Sequence, residues 1–273
     1  MGLAEMSRRK IIQIIFTLLT NFQVTNLISG KIYKGSVKQI CAPGLNCYSC
    51  PAAILSCPIG ALQTILGSSK FNFSFYVTGF LLLTGLMLGR AVCGFLCPFG
   101  FFQEILNKIP SAKYNLWRPL VYFKYLILLI FVLMLPIISA LGKPAFCEYI
   151  CTAGTFEAAL PLLITHQEFR AVIGGLFALK LSILIITVIG CIFVYRFFCK
   201  LICPLGAIYG LMNKWSFYRL KVDLSRCINC GQCQKFCPMS VDPVKNPNSP
   251  ECIRCNLCSK RCPQGAIKKT IYT

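Results

Sequence analysis

CINCGQCQKFCP (227–238) and CIRCNLCSKRCP (252–263) both follow the spacing C-x2-C-x2-C-x3-C-P. A loop this tight aims three sulfurs at three irons of one small cube, and the fourth, set off by the Cys-Pro turn, reaches a second cube. The spacing therefore assigns Cys227, Cys230, Cys233 and Cys262 to one [4Fe-4S] cluster and Cys252, Cys255, Cys258 and Cys237 to another. Zinc also takes soft thiolates, but its sites usually pair two C-x2-C knuckles or add histidine. Two complete four-cysteine runs argue against it. Gly231 lets backbone amides approach cluster sulfur, which tunes potential. Residues 218–273 thus predict an α+β bacterial 2[4Fe-4S] ferredoxin-like domain.

Upstream the chemistry changes. The 273 residues are 56% hydrophobic and 13% charged, too apolar for an ordinary soluble domain. A helix crosses the hydrocarbon core in roughly 20 residues, and four stretches approach that length: 11–29, 73–92, 119–141 and 172–195. Residues 1–217 are accordingly expected to be an all-α membrane bundle of about four spans. Gln13, Thr17, Thr20 and Asn21 interrupt the first span on one side, where neighbouring helices would satisfy them. Arg8, Arg9 and Lys10 precede it without a small-residue cleavage site behind, so an anchor is expected in place of a signal peptide. Placing that cluster inside makes both termini cytoplasmic, against which Lys31, Lys34, Lys38 and Lys70 stand on the far side. The formal charge of +20 gathers at span edges and in the tail, which membrane anchoring explains without nucleic acid.

The bundle repeats itself. CGFLCPFGFFQEILNK (93–108) and CKLICPLGAIYGLMNK (199–214) match without a gap at both Cys, Pro, Gly, Asn and Lys, with Arg90 and Arg196 at the same offset before them. Two duplicated helical hairpins are the simplest account. Cys93/Cys97 and Cys199/Cys203 would each share a helix face at i, i+4 if the helix continued that far, but Pro98 and Pro204 are expected to end or bend it, since the residue before proline is pushed out of the α region. Packed side by side, the halves bring four thiolates together for a third metal centre; buried structural thiols are the alternative. The two arginines would offset an anionic cluster, although snorkelling toward headgroups is the reading preferred for them and for Lys124 and Lys180.

A further group is expected on the outer side: Cys41, Cys47, Cys50 and Cys57 before the second span, Cys147 and Cys151 after the third. Cys57, Cys97, Cys151 and Cys203 each begin a Cys-x-x-Gly turn, with Thr152 where the other three have proline. Cys47, Cys50, Cys57, Cys147 and Cys151 are candidate metal ligands, with disulfides or free thiols as alternatives. Cys191 reads as packing. His166 is the only histidine and reads as a surface residue; bis-histidine haem, c-type haem attachment and a dinucleotide fold find no support.

These features, four spans, C-x3-C-P at 93–98 and 199–204 and the double tail run, resemble the membrane polyferredoxins of the NapH, NosR and CcoG type over nearly the whole chain. The resemblance implies the eight tail cysteines as cluster ligands and a multi-pass protein of the inner membrane with its ferredoxin domain in the cytoplasm. It further implies electron transfer between a cytoplasmic or quinone-linked donor and an extracytoplasmic partner such as a flavoprotein or terminal reductase. A CcoG-like assembly factor or metal reductase, and an iron–sulfur redox sensor, are the alternatives. The flavin-binding domain of NosR is not expected here, and the Cys47/Cys50/Cys57 group lies outside the core NapH pattern.

Overall fold

The computed structural model describes residues 8–67, 75–138 and 143–271. Lys70 and the expected span edges at 73–74 and 139–141 lie outside them. Helix α1 (Arg8–Thr20) opens the bundle, with Ile11, Ile15, Leu18 and Leu19 exposed. It stops short of the expected 29: Thr20 Oγ1 and Asn21 Nδ2 bond back to the carbonyl of Thr17 at 3.2 Å, and after a break a short helix, α2 (Thr25–Ser29), follows. Polar side chains that can bond the preceding turn favour such endings.

The segment expected as an outer loop is folded into the protein. Ala42, Leu45, Asn46, Ala52 and Ala53 are all buried, and Lys38 turns inward to donate to the Ala53 carbonyl at 2.7 Å. Helix α3 (Pro58–Leu66) follows, then α4 (Phe75–Leu88), 14 residues long. The two copies of the repeat fold alike. One forms α5 (Ala91–Phe95) and α6 (Pro98–Leu106); the other forms α9 (Phe197–Leu201) and α10 (Pro204–Met212).

Among the described residues, two helices are long and apolar enough to cross a membrane: α7 (Arg118–Ile138) and α8 (Gly175–Phe193). Both turn much of their length outward; Ile185, Ile186 and Ile189 of α8 are exposed. Between them, residues 152–165 form a further helix entered through a π-helical turn, Phe146–Ile150. His166 ends it half-buried, its ring beside Gly30.

The tail closes on a two-stranded antiparallel ribbon, β1 (Tyr218–Val222) on β2 (Ile267–Ile271), with Leu220 opposite Lys269. Each cysteine run carries one short helix, α11 (Gln232–Lys235) and α12 (Leu257–Arg261). One apolar core joins the bundle to the tail: it contains Cys57, Cys93, Cys97, Cys151 and Cys203, with Ile253, Cys237 and Cys255 packed into the same cluster.

Candidate iron–sulfur centres

The two tail loops reach one conformation by the same route. Asn229 and Arg254, the residues before the second cysteine of each run, are left-handed, as are Gly231 and Asn256 just after it. These reversals fold C-x2-C-x2-C around a hollow, and glycine and asparagine tolerate them best. A second matched pair, Ser240 and Gly265, turns the chain after Cys237-Pro238 and Cys262-Pro263, so that Val241 and Ala266 donate to Cys237 and Cys262 Sγ at 3.4 and 3.3 Å. Amides aimed at sulfur stabilise a thiolate and its cluster.

Cys227, Cys230, Cys233 and Cys262 line one small cavity; Cys237, Cys252, Cys255 and Cys258 line another. The structure thus groups the tail cysteines in the two crosswise sets expected. Burial, reinforced by neighbouring thiols, pushes Cys252 up to about 11 and Cys258 up to about 12. Thiolates crowded this way need cationic charge among them, and a metal cluster supplies it while displacing their protons. The sulfurs surround space and do not meet at a point: among the described residues no three His, Cys, Asp or Glu side chains converge to hold a single ion. The residues present therefore fit a cluster better than mononuclear zinc, whose thiolates sit about 2.3 Å from the metal.

In the bundle, Cys93, Cys97, Cys199 and Cys203 are all buried and each lies within electrostatic range of the other three. The helix does not run through both cysteines of either pair; it ends before each Cys-Pro, as Pro98 and Pro204 predict. Each copy of the repeat breaks between its cysteines, because Pro98 and Pro204 start new helices and disfavour α backbone in the residue before them. Cys97 and Cys203 become extended N-caps whose sulfurs accept from Gly100 and Gly206 amides, both at 3.3 Å. Gln103 adds a donor, its Nε2 lying 3.1 Å from Cys199 Sγ. Cys191 stands apart, its thiol directed at Gln103 Oε1 at 3.6 Å.

Snorkelling is overturned for both arginines and for Lys124. Arg90 and Arg196 are fully buried and exchanged between the copies: Arg90 Nη2 donates to the Cys199 carbonyl at 3.3 Å, and Arg196 Nη1 to the Cys93 carbonyl at 2.5 Å. Each guanidinium is held by a carboxylate. Glu104 accepts from Arg196 at 2.6 Å and from Arg9 of α1 at 2.7 and 2.8 Å. Glu251 of the tail accepts from Arg90 at 2.8 Å and pairs with Lys124, which is also fully buried. Buried cations are tenable only with such partners. Lys180 of α8, half-buried, donates to the Cys147 carbonyl at 3.3 Å.

The Glu251 pairs also fasten the tail to the bundle. Asn213 Nδ2 donates to the carbonyls of Ser249 and Cys252 at 2.7 and 3.0 Å, Arg254 returns to the Asn213 carbonyl at 2.6 Å, and Lys200 reaches the Pro238 carbonyl at 3.2 Å. Gly94 sits so close that a Cβ there would stand 2.4 Å from the Ile253 carbonyl oxygen. The loop carrying Cys252 and Cys255 therefore rests directly on the helix carrying Cys93. Sequence reasoning missed Gln103, Glu104 and Glu251; the signals for this network were the matched Arg90 and Arg196 and, at the tail joint, Asn213, matched to Asn107 in the repeat.

Of the outer candidates, Cys47, Cys57, Cys147 and Cys151 come together, and Cys50 does not: it lies beside Lys38. Two family models match the chain. One, described as a 4Fe-4S binding domain, aligns with residues 73–116, 125–160 and 176–223; the other, a 4Fe-4S dicluster domain, aligns with 219–263. Among curated relatives, the chain is similar to an uncharacterized protein of Methanocaldococcus jannaschii (26% identity, 68% of this chain and 66% of that one). It is also similar to the putative electron transport protein YccM of Escherichia coli (27%, 59% and 44%) and the regulatory protein NosR of Pseudomonas aeruginosa (29%, 56% and 20%). The matched regions thus span two-thirds or less of these relatives' own lengths. No solved structure matches.

Proposed function

Because this chain belongs to the NapH- and NosR-type polyferredoxins and binds [4Fe-4S] clusters, we propose that it is a membrane-embedded electron conduit. Residues 1–217 are the bundle, spanning the inner membrane several times through two duplicated hairpins, and residues 218–273 the cytoplasmic ferredoxin unit. Cys227, Cys230, Cys233 and Cys262 hold one tail cluster; Cys237, Cys252, Cys255 and Cys258 hold the second. Cys93, Cys97, Cys199 and Cys203 hold a third centre inside the bundle. The clusters supply one-electron transfer. The chain's own residues position them and balance their charge: amides and Gln103 donate to sulfur, and Arg90 and Arg196 face the bundle thiols from behind.

One observation carries this reading: the loop of Cys252 and Cys255 is seated against Gly94, one residue from Cys93, so a tail site and the bundle site are neighbours. A cleft of about 880 Å³ beside Cys237, lined by Arg118, Tyr122, Tyr125, Lys200 and Glu251, offers a cytoplasmic donor or a quinone headgroup access to the same tail site. The acceptor is an extracytoplasmic redox protein. Reconstitution of anaerobically purified protein in vesicles, with donor on the ferredoxin side and an impermeant acceptor on the other, tests it. Acceptor reduction that disappears in Cys97→Ser is expected; equal rates in that variant would refute the bundle route.

A further inference from the structure

The outer thiols form a site of their own. Cys47, Cys57, Cys147 and Cys151 each lie within electrostatic range of the other three, the relation seen at the bundle site below them. Their surroundings resemble that site in backbone and in one glutamine. Cys57 and Cys151, like Cys97 and Cys203, are extended N-caps of short helices; the amides of Gly60 and Gly154 lie near their sulfurs but do not close the cap hydrogen bonds that Gly100 and Gly206 make. Gln63 stands six residues after Cys57 as Gln103 stands six after Cys97, and its Nε2 lies 3.3 Å from Cys147 Sγ. Its Oε1 accepts the Phe146 amide at 2.8 Å, which fixes its direction. The glycines face thiols across the site: a Cβ at Gly60 would stand 3.7 Å from Cys147 Sγ, and one at Gly154 3.4 Å from Cys47 Sγ.

A second observation points to an occupant. The Asn46 amide and the Thr152 hydroxyl, side chains of the residues next to Cys47 and Cys151, are fully buried and have no hydrogen-bond partner among the described residues. Buried polar groups are ordinarily hydrogen-bonded, and both adjoin the same four thiols. Ionisable groups of both signs face them: Lys180, held on the Cys147 carbonyl at 3.3 Å, and half-buried Glu157, whose carboxyl accepts the Cys47 amide at 2.8 Å. Cys41 and Cys50 fall outside: the first adjoins Cys57 alone among the thiols, and the second lies beside Lys38.

We infer that Cys47, Cys57, Cys147 and Cys151 ligate a fourth iron–sulfur cluster, stacked on the bundle site. The stacking follows from two consecutive amides: that of Leu45 lies against Cys97 and that of Asn46 against Cys57. Neighbouring residues are about 3.8 Å apart, so the nearest sulfurs of the two sites lie within about 10 Å of each other. This rests on the conduit reading and extends it, since the fourth site carries the chain of centres from the bundle site toward the far face.

Iron and sulfide counts on anaerobically purified full-length protein test it. Four cubanes give about sixteen irons per chain. Cys147→Ser with Cys151→Ser is expected to keep about twelve irons, and Cys41→Ser and Cys50→Ser all of them. Unchanged iron in the double variant, zinc in place of iron at these residues, or disulfides among the four on mass spectrometry of unreduced protein would each overturn the fourth site. Loss of bundle or tail iron from the unaltered chain would instead strike the conduit reading, leaving the difference between chain and variant readable. Gln63→Leu guards against a variant that merely misfolds: it is expected to keep every iron while moving one midpoint potential negative, and unmoved midpoints would count against the assignment.

Discussion

The bundle site and the outermost tail site have the same ligand count and opposite construction. Cys227, Cys230, Cys233 and Cys262 sit on one loop and the turn beside it, Cys230 is exposed, and local backbone reversals at Asn229 and Gly231 do most of the positioning. Cys93, Cys97, Cys199 and Cys203 come from two segments a hundred residues apart, are all buried, and depend on side chains from α1, α6 and the tail. A site made by a loop is tuned by water and by its own amides. A site made by a bundle needs its charges imported, and the exchange of Arg90 and Arg196 between the copies is how this chain imports them.

The largest effect should come from breaking the imported charge. Glu104→Gln leaves the Arg196 and Arg9 guanidiniums without their shared anion, and losing one partner of a buried pair costs about 3–5 kcal/mol. Thermal unfolding in detergent is expected to show that loss together with depletion of bundle iron, while tail iron stays. Equal depletion at both sites would erase the contrast.

Glu251→Gln attacks the joint between the two regions. Arg90 and Lys124 lose their anion, at about 2–5 kcal/mol for a partner of a buried hydrogen-bonded charge pair. The expected result is a tail that proteases release more readily, with magnetic coupling between tail and bundle centres weakened and both sets of irons retained. Gly94→Ala presses on the same joint sterically. Its Cβ meets the backbone oxygen of Ile253, which cannot swing aside as a side chain would, and overpacking of this kind costs about 1–3 kcal/mol. Slower transfer between tail and bundle, read by stopped-flow reduction, is the expected signature.

The contrast also explains what the sequence made legible. The tail cages could be read from spacing because their geometry is local: four residues of left-handed backbone and two Cys-Pro turns deliver all eight thiols. The bundle cysteines could be picked out as a repeated pair, and Pro98 and Pro204 marked where each helix ends, but the partners that hold the four thiols lie too far away in sequence to be read. Arg90, Arg196 and Lys124 were misread because a lone cation beside an apolar run looks the same whether it snorkels or meets a carboxylate more than ninety residues away. The buried entry of residues 41–57 was hidden for a related reason. Lys38 makes that segment look solvent-facing, and only the Ala53 carbonyl, brought near by the fold, shows where its charge goes.

The smallest effect is a pH dependence that should separate the two regions at low pH alone. The guanidiniums of Arg196 and Arg9 hold the Glu104 carboxyl down to about 2 against the desolvation that burial alone would impose. An acid whose folded value is depressed contributes stability that is complete above its unfolded value of roughly 4.3 and lost as pH falls toward the folded one. Bundle stability is therefore expected to be flat with respect to this group from neutral pH down to about 5, and to fall between about 4.5 and 2. In Glu104→Gln that acid limb should vanish. Far-ultraviolet melting of the iron-free protein and its variant across that window measures it, and an acid limb of equal slope in the variant would show that other carboxylates, not this pair, set the response.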